Sequence, residues 1–147
     1  MNSLPARRIG QTELEVSVLG LGGAPLGDLY ERIPEERALA TLETAYRRGI
    51  RFFDTAPLYG HGLSEHRLGH VLRSKPRADL VVSTKVGRWL RPERSERVDR
   101  GQFVGGLNFQ TVYDYSYDGT MRALEQSYQR LGMDRVDIAL IHDVDIW

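Results

Sequence analysis

The chain has no cysteine among its 147 residues. That excludes disulfides, thiolate metal sites and cysteine nucleophiles, and it fits a reducing compartment. Net charge is also missing: 20 Lys and Arg balance 20 Asp and Glu, so nothing points to nucleic acid or an anionic membrane. No apolar run approaches the ~20 residues that a membrane helix needs. The start, MNSLPARRIGQTELEV, lacks the apolar stretch of a signal peptide. A cytoplasmic protein is expected, with neither nucleic acid nor membrane as partner. Lysine is nearly absent too, since 18 of the 20 basic residues are Arg, leaving only Lys75 and Lys85. Arginine stays charged, whereas a lysine amine can be tuned and can attack carbonyls. Lys85, at the end of LVVSTKVG, is therefore singled out.

What is present is a regular alternation. RRIGQTELEV predicts a hairpin within about residues 1–16, and VSVLGLGG a buried strand running into glycines. A helix follows, with Pro34 at its first position, Glu35 and Glu36 at its positive end and Gly49 closing it. Leu39, Leu42, Ala45 and Tyr46 form its apolar face. RFFDTA is a second strand, and Ser64 is expected to cap a helix through about Arg73 with Leu68, Val71 and Leu72 inward. DLVVSTKVG is a third strand, continuous and β-branched, as in sheets covered on both faces. Residues 87–116 carry no regular period and are expected to form a long loop, ordered by Trp89, Phe103, Phe109 and Tyr113. A helix from Tyr117 to Leu131 comes next, capped by Ser116 or Asp118, with Met121, Leu124, Tyr128 and Leu131 on one side. VDIALIH is a fourth strand.

This βαβαβαβ order over residues 17–142 implies a parallel α/β sheet with right-handed crossovers. After the first strand, GLGGAPLG has Pro25 where a dinucleotide fingerprint needs its third glycine, and no helix opens there. A (β/α)8 barrel is thus favoured over an open doubly wound sheet.

Three ionisable residues end three strands: Asp54, Lys85 and His142, with Tyr59 just after the first of them. Ligands and catalytic groups collect at that edge of a parallel sheet, and adjacent strands lie about 5 Å apart. A phenol titrates near ~10, a neighbouring ammonium favours its ionised form, and a carboxylate keeps the ammonium charged. An imidazole can orient the same substrate oxygen. Together the four suit carbonyl reduction or its reverse, with hydride from a cofactor because no side chain carries one. Singly, each also has a structural reading: a salt-bridge carboxylate, a packing tyrosine, a core histidine, a surface lysine. His66 and His70 stand four apart on a helix, but with no third ligand evident they read as a solvated face, and no metal is expected.

On LGLGG, FFDTAPLYGHGLSEHRLG, STKVG and LIHD, the chain resembles the aldo-keto reductases. Within them it is most similar to the D-threo-aldose (L-fucose) 1-dehydrogenase and pyridoxal 4-dehydrogenase group. The resemblance implies a (β/α)8 barrel with an N-terminal hairpin, of which this chain holds four strands and three helices. It implies NADP or NAD across the barrel top and a small carbonyl or sugar substrate. By position, Tyr59 is the acid/base, Lys85 and Asp54 tune it, and His142 orients the carbonyl. Gly22, Gly23 and Asp54 would lie near the nicotinamide ribose, and Trp89 would wall the substrate pocket. A whole barrel takes ~250 residues, so the chain is expected to be an N-terminal half without its C-terminal partner. Its open strand edges would then invite self-association, and alone it is not expected to turn over. Two other readings remain: a Schiff-base aldolase using Lys85, and a reductase-like subunit without activity.

Overall fold

The computed structural model describes residues 4–146. Two short strands, β1 (Ala6–Arg8) and β2 (Glu15–Ser17), pair antiparallel as the expected hairpin. Ser17 joins it to the sheet, its hydroxyl oxygen accepting from the Arg51 and Phe52 amides at 3.1 and 3.2 Å. The sheet itself is parallel, in the order β3 (Gly20–Gly22), β4 (Phe52–Asp54), β5 (Val81–Val86) and β8 (Ile138–Ile141). Helices α1 (Glu35–Arg47), α2 (Leu63–Leu72) and α3 (Tyr117–Leu131) connect these strands. Phe53 and Val82 from the sheet meet Leu42, Leu68, Leu72 and Leu131 from the helices in one core, all fully buried. Each such side chain contributes roughly 1.5–3 kcal/mol when taken out of water.

Helix ends follow the sequence signals closely, with two departures. Gly49 takes the left-handed conformation past α1 (φ 96°), and Ser116 caps α3 by accepting from the Gly119 amide at 3.1 Å. Pro34, however, is the cap of α1 rather than its first residue. Ser64 does not cap α2, because Gly62 (φ 99°) holds that place. Ser64 lies inside the helix, buried, donating to the Gly23 carbonyl at 2.8 Å and sharing a hydrogen bond with Thr55. A tertiary partner has taken the hydroxyl that a cap would have used.

The buried stripe of α3 is Gly119, Ala123, Ser127 and Leu131, while Met121 is exposed. Small residues suit the close approach of α2: a Cβ on Gly69 would lie 2.2 Å from the Leu131 carbonyl oxygen. Arg67 clamps the segment between β3 and α1, donating to Glu35, Asp28 and the carbonyls of Leu26 and Ile33 at 2.7–2.9 Å.

The stretch 87–116 is more regular than its sequence suggested. It contains an antiparallel ribbon, β6 (Arg88–Pro92) against β7 (Phe109–Tyr113), in register Arg88↔Tyr113 to Pro92↔Phe109. Arginines interrupt the apolar alternation of RWLRP, which hides the strand period. The intervening loop docks onto the sheet's C-terminal edge, where Phe103 is buried and pairs with Leu29 in an isolated bridge.

Candidate active site

Parallel register places the strand-end groups side by side. Gly22, Asp54 and Ser83 are partners across β3, β4 and β5. Alternation puts Lys85 on the same face as Ser83. Asp54 therefore receives both: Ser83 donates to its Oδ1 at 2.6 Å, and Lys85 Nζ reaches its two oxygens at 3.0 and 2.8 Å. The third proton of the ammonium goes to the Thr55 carbonyl at 2.9 Å. All three donors of Lys85 are thus directed, and the ammonium stands 4.7 Å from the centroid of the Tyr59 ring.

Tyr59 sits in the turn after β4, half-buried. The turn is fixed by three consecutive left-handed residues, Gly60 (φ 64°), His61 (φ 54°) and Gly62 (φ 99°). A Cβ on Gly60 would lie 2.5 Å from the Gly27 carbonyl oxygen, so only glycine permits that approach. His61 is fully buried, edge-on to Phe103, and neither ring nitrogen has a hydrogen-bond partner among the described residues. Burial, then the Arg100 guanidinium, hold it below the usual histidine pKa. The backbones of Phe109 and Arg100 oppose this from nearby, without hydrogen bonds of good geometry.

His142 ends β8 with its amide on the Val86 carbonyl (3.1 Å) and its own carbonyl accepting from the Tyr115 hydroxyl (2.7 Å). Its ring stands edge-on to Tyr59, with centroids 5.9 Å apart. Burial first, then Arg88 and Lys85, push its pKa down to about 4, against the pull of Asp143 and Asp54. The imidazole is neutral at pH 7, and its buried Nδ1 has no partner among the described residues. A neutral ring offers one N–H donor and one acceptor to a substrate oxygen or hydroxyl.

Tyr59 and the three residues at the strand ends, Asp54, Lys85 and His142, therefore lie in one cluster. Matched against known families, residues 18–147 fit the model of the aldo/keto reductase family. The chain belongs to that family. It is 47% identical to a pyridoxal 4-dehydrogenase of Microbacterium luteolum, over 94% of this chain and 43% of that protein. A D-threo-aldose 1-dehydrogenase of Pseudomonas sp is 41% identical, over 88% of this chain and 41% of its own length. Among solved structures, the holo form of an aldo-keto reductase from Bacillus halodurans superposes with a TM-score of 0.71 at 28% identity. That match covers 92% of this chain and 39% of the other. The chain thus spans well under half the length of these relatives. Its hairpin, four parallel strands and three helices are a partial (β/α)8 barrel.

Other residues that the family resemblance singled out lie as follows. Gly22 is exposed beside Asp54, and a Cβ placed on it would meet nothing within 4 Å. Gly23 is buried, and a Cβ there would lie 2.6 Å from Ser64 Oγ and 2.7 Å from the Asp54 carbonyl oxygen. Packing inside the chain is therefore enough to require glycine at 23, whereas Gly22 leaves an open approach to the cluster. Trp89 lies on the face of β6 opposite Arg88, beneath the Arg122 guanidinium (4.3 Å to the ring centroid) and beside Asp114. It does not line the cavity next to Tyr59. Phe103, 6.1 Å from the Tyr59 ring centroid, takes that wall instead. No periodicity marks Phe103, since its position depends on how the loop folds back. His66 and His70 are both exposed on α2.

A pH dependence follows from His142. The unfolded chain takes up a proton near pH 6.5, the folded one only near 4, so acid favours the unfolded state across that window. Stability is expected to fall by roughly 2–3 kcal/mol from this group as pH drops from about 6.5 to 4. Urea midpoints for the chain and its His142→Asn variant, measured through that range, should converge toward low pH. Parallel curves would show that His142 titrates normally in the fold.

Proposed function

We propose that this chain carries the proton-transfer site of an NAD(P)-dependent oxidoreductase. The reaction interconverts a small carbonyl compound (an aldehyde, ketone or aldose) and the corresponding alcohol. The observation that carries the reading is the Lys85 ammonium, held by Asp54 and Thr55 and set against the Tyr59 ring. A cation fixed beside the ring can stabilise the charge that develops as the phenol gives up its proton. Tyr59 then gives its proton to the substrate oxygen as charge develops on it, and takes one back in the reverse direction. His142, neutral at pH 7, hydrogen-bonds the same oxygen and aims it at Tyr59. NADP or NAD, when bound, supplies or accepts the hydride. Gly22 and Asp54 would hold its nicotinamide end, an assignment supported by the open backbone at Gly22.

A Schiff-base role for Lys85 is disfavoured, since an imine needs a free amine and this ammonium directs all three protons to oxygens. The names of the relatives support an aldose or an aromatic aldehyde as substrate. A cytoplasmic setting belongs to the same proposal. At the two edges of the sheet, β3 and β8 lack a further strand among the described residues, and Leu140, Ile141 and Val144 are exposed at the second. Self-association through these edges is part of the proposal.

A hybrid tests the reading: this chain replaces the matching residues of the Microbacterium luteolum relative. Coupled oxidation or reduction of NAD(H) or NADP(H) with pyridoxal or an aldose is expected. A hybrid that folds and binds cofactor yet does not turn over, beside an active parent, would falsify the proposal.

A further inference from the structure

The residue after His142 is a carboxylate close enough to compete for its ring. Asp143 Oδ2 stands 3.6 Å from His142 Nε2, beyond hydrogen-bond distance but within reach of an ion pair. A free carboxylate there would accept the ring N–H, the donor that a substrate oxygen needs, and would favour the charged imidazolium.

Asp143 is not free. Arg88 Nη2, from β6, donates to the same Oδ2 at 2.5 Å, and its guanidinium lies 4.6 Å from the Tyr113 ring centroid. Arg88 is buried, while Asp143 is half-exposed. The Arg88 Nε finds no partner among the described residues. A buried guanidinium with an unused donor is a poor stabilising device, so stability alone does not account for it. The backbone supplies a second observation. Asp143 has φ 46°, in the left-handed region that few side chains adopt, although Asp tolerates it. Such a conformation persists where its surroundings fix it. Here the Arg88 bond fixes the side chain. On the other side of the ring, the His142 amide is on the Val86 carbonyl and its own carbonyl accepts from the Tyr115 hydroxyl.

We propose that Arg88 is a positioning residue for His142: by holding Asp143 Oδ2 it keeps the carboxylate off the imidazole and leaves the ring N–H to the substrate oxygen. The inference rests on the oxidoreductase reading for that substrate, and adds to it a residue outside the cluster. Charge acts in the same direction. The groups facing the ring are Lys85 from β5, Asp54 from β4, Tyr59 from its turn, Arg88 from β6 and the adjoining Asp143. After burial, the Arg88 charge does most to hold the His142 pKa down, and Asp143 does most to lift it. Without Arg88, Lys85 and Asp54 still pair with each other, whereas Asp143 is left to the imidazole.

The test uses Arg88→Met, and Arg88→Met combined with Asp143→Asn, read first by NMR titration of the His142 ring in the 147-residue chain. Arg88→Met is expected to raise the His142 pKa from about 4 by roughly one unit or more, and Asp143→Asn to bring it back. In the hybrid enzyme, Arg88→Met is expected to lower kcat/KM about tenfold. The acid limb of the pH profile should move upward with the His142 titration, and adding Asp143→Asn should reverse both effects. Arg88→Lys, which returns a cation to Asp143, is expected to restore most of the activity. A purely structural Arg88 would lower activity evenly across pH, with no moved limb and no rescue by Asp143→Asn. That result, or a His142 titration unmoved by Arg88→Met, overturns the inference. Arg88→Gln removes the same charge should Arg88→Met fail to fold. The titration needs no turnover, so an inactive hybrid sinks the oxidoreductase reading and still leaves the hold of Arg88 on Asp143 to be decided.

Discussion

Replacing Tyr59 by phenylalanine in the hybrid enzyme lowers kcat about 10²–10⁴-fold, the usual contribution of a positioned acid or base. In barrier terms that is about 3–5 kcal/mol. The substitution removes one oxygen and leaves the ring that Phe103, His142 and the Lys85 ammonium surround. Packing should survive, so unfolding midpoints and cofactor affinity should be unchanged while turnover collapses. Steady-state kinetics separate the outcomes. A fall in kcat with KM nearly constant marks a group acting in the transition state. A Tyr59→Phe hybrid as active as its parent would remove Tyr59 from the chemistry and leave the Lys85–Asp54 pair as a structural ion bridge.

The second large effect concerns stability. Glu65 in α2 is fully buried, accepting from Thr84 Oγ1 at 2.8 Å and from Arg130 Nε at 2.5 Å. This pair ties α2 to α3 and to β5 behind the Tyr59 turn. Arg130→Leu leaves a carboxylate in the core without its cation, and breaking a buried pair this way costs roughly 3–5 kcal/mol. That is a large share of the ~5–15 kcal/mol by which domains are stable. The double variant Glu65→Leu with Arg130→Leu is expected to recover much of the loss, because replacing both charges by apolar groups is often neutral. Urea unfolding of the two variants decides it. If the double variant is no more stable than the single one, the loss comes from packing around Arg130 rather than from an orphaned charge.

The candidate cluster at the strand ends was legible in the sequence for a definite reason. Strands in parallel sheets are short, apolar and bounded, so Asp54, Lys85 and His142 stand out as the polar residues where each run ends. The hairpin, Gly49 and Ser116 were readable because they depend on local backbone geometry. Other features depend on what the chain meets after folding. Ser64 has the spacing of a cap, but Gly23 and Thr55 claim its hydroxyl. The ribbon β6–β7 was hidden by arginines at 88 and 91, which blur a two-residue period. Arg88 itself is one of 18 arginines, and nothing local distinguishes it until Asp143 and Tyr113 close around it. Trp89 drew attention as an aromatic near the site, yet strand alternation turns it to the other face, while Phe103 reaches Tyr59 from a loop without periodicity.

The Gly60 carbonyl accepts from two amides, Leu63 at the start of α2 and Leu107 in the loop between β6 and β7. Just beside it, a Cβ on Gly106 would lie 2.4 Å from that same oxygen. The loop that shapes the cavity and the turn that carries Tyr59 are therefore pinned at one atom. For anyone grafting a new loop between β6 and β7 to change substrate preference, the two are not separable modules. An exchanged loop must bring its own glycine and its own amide to that carbonyl, or shift Tyr59 along with the cavity.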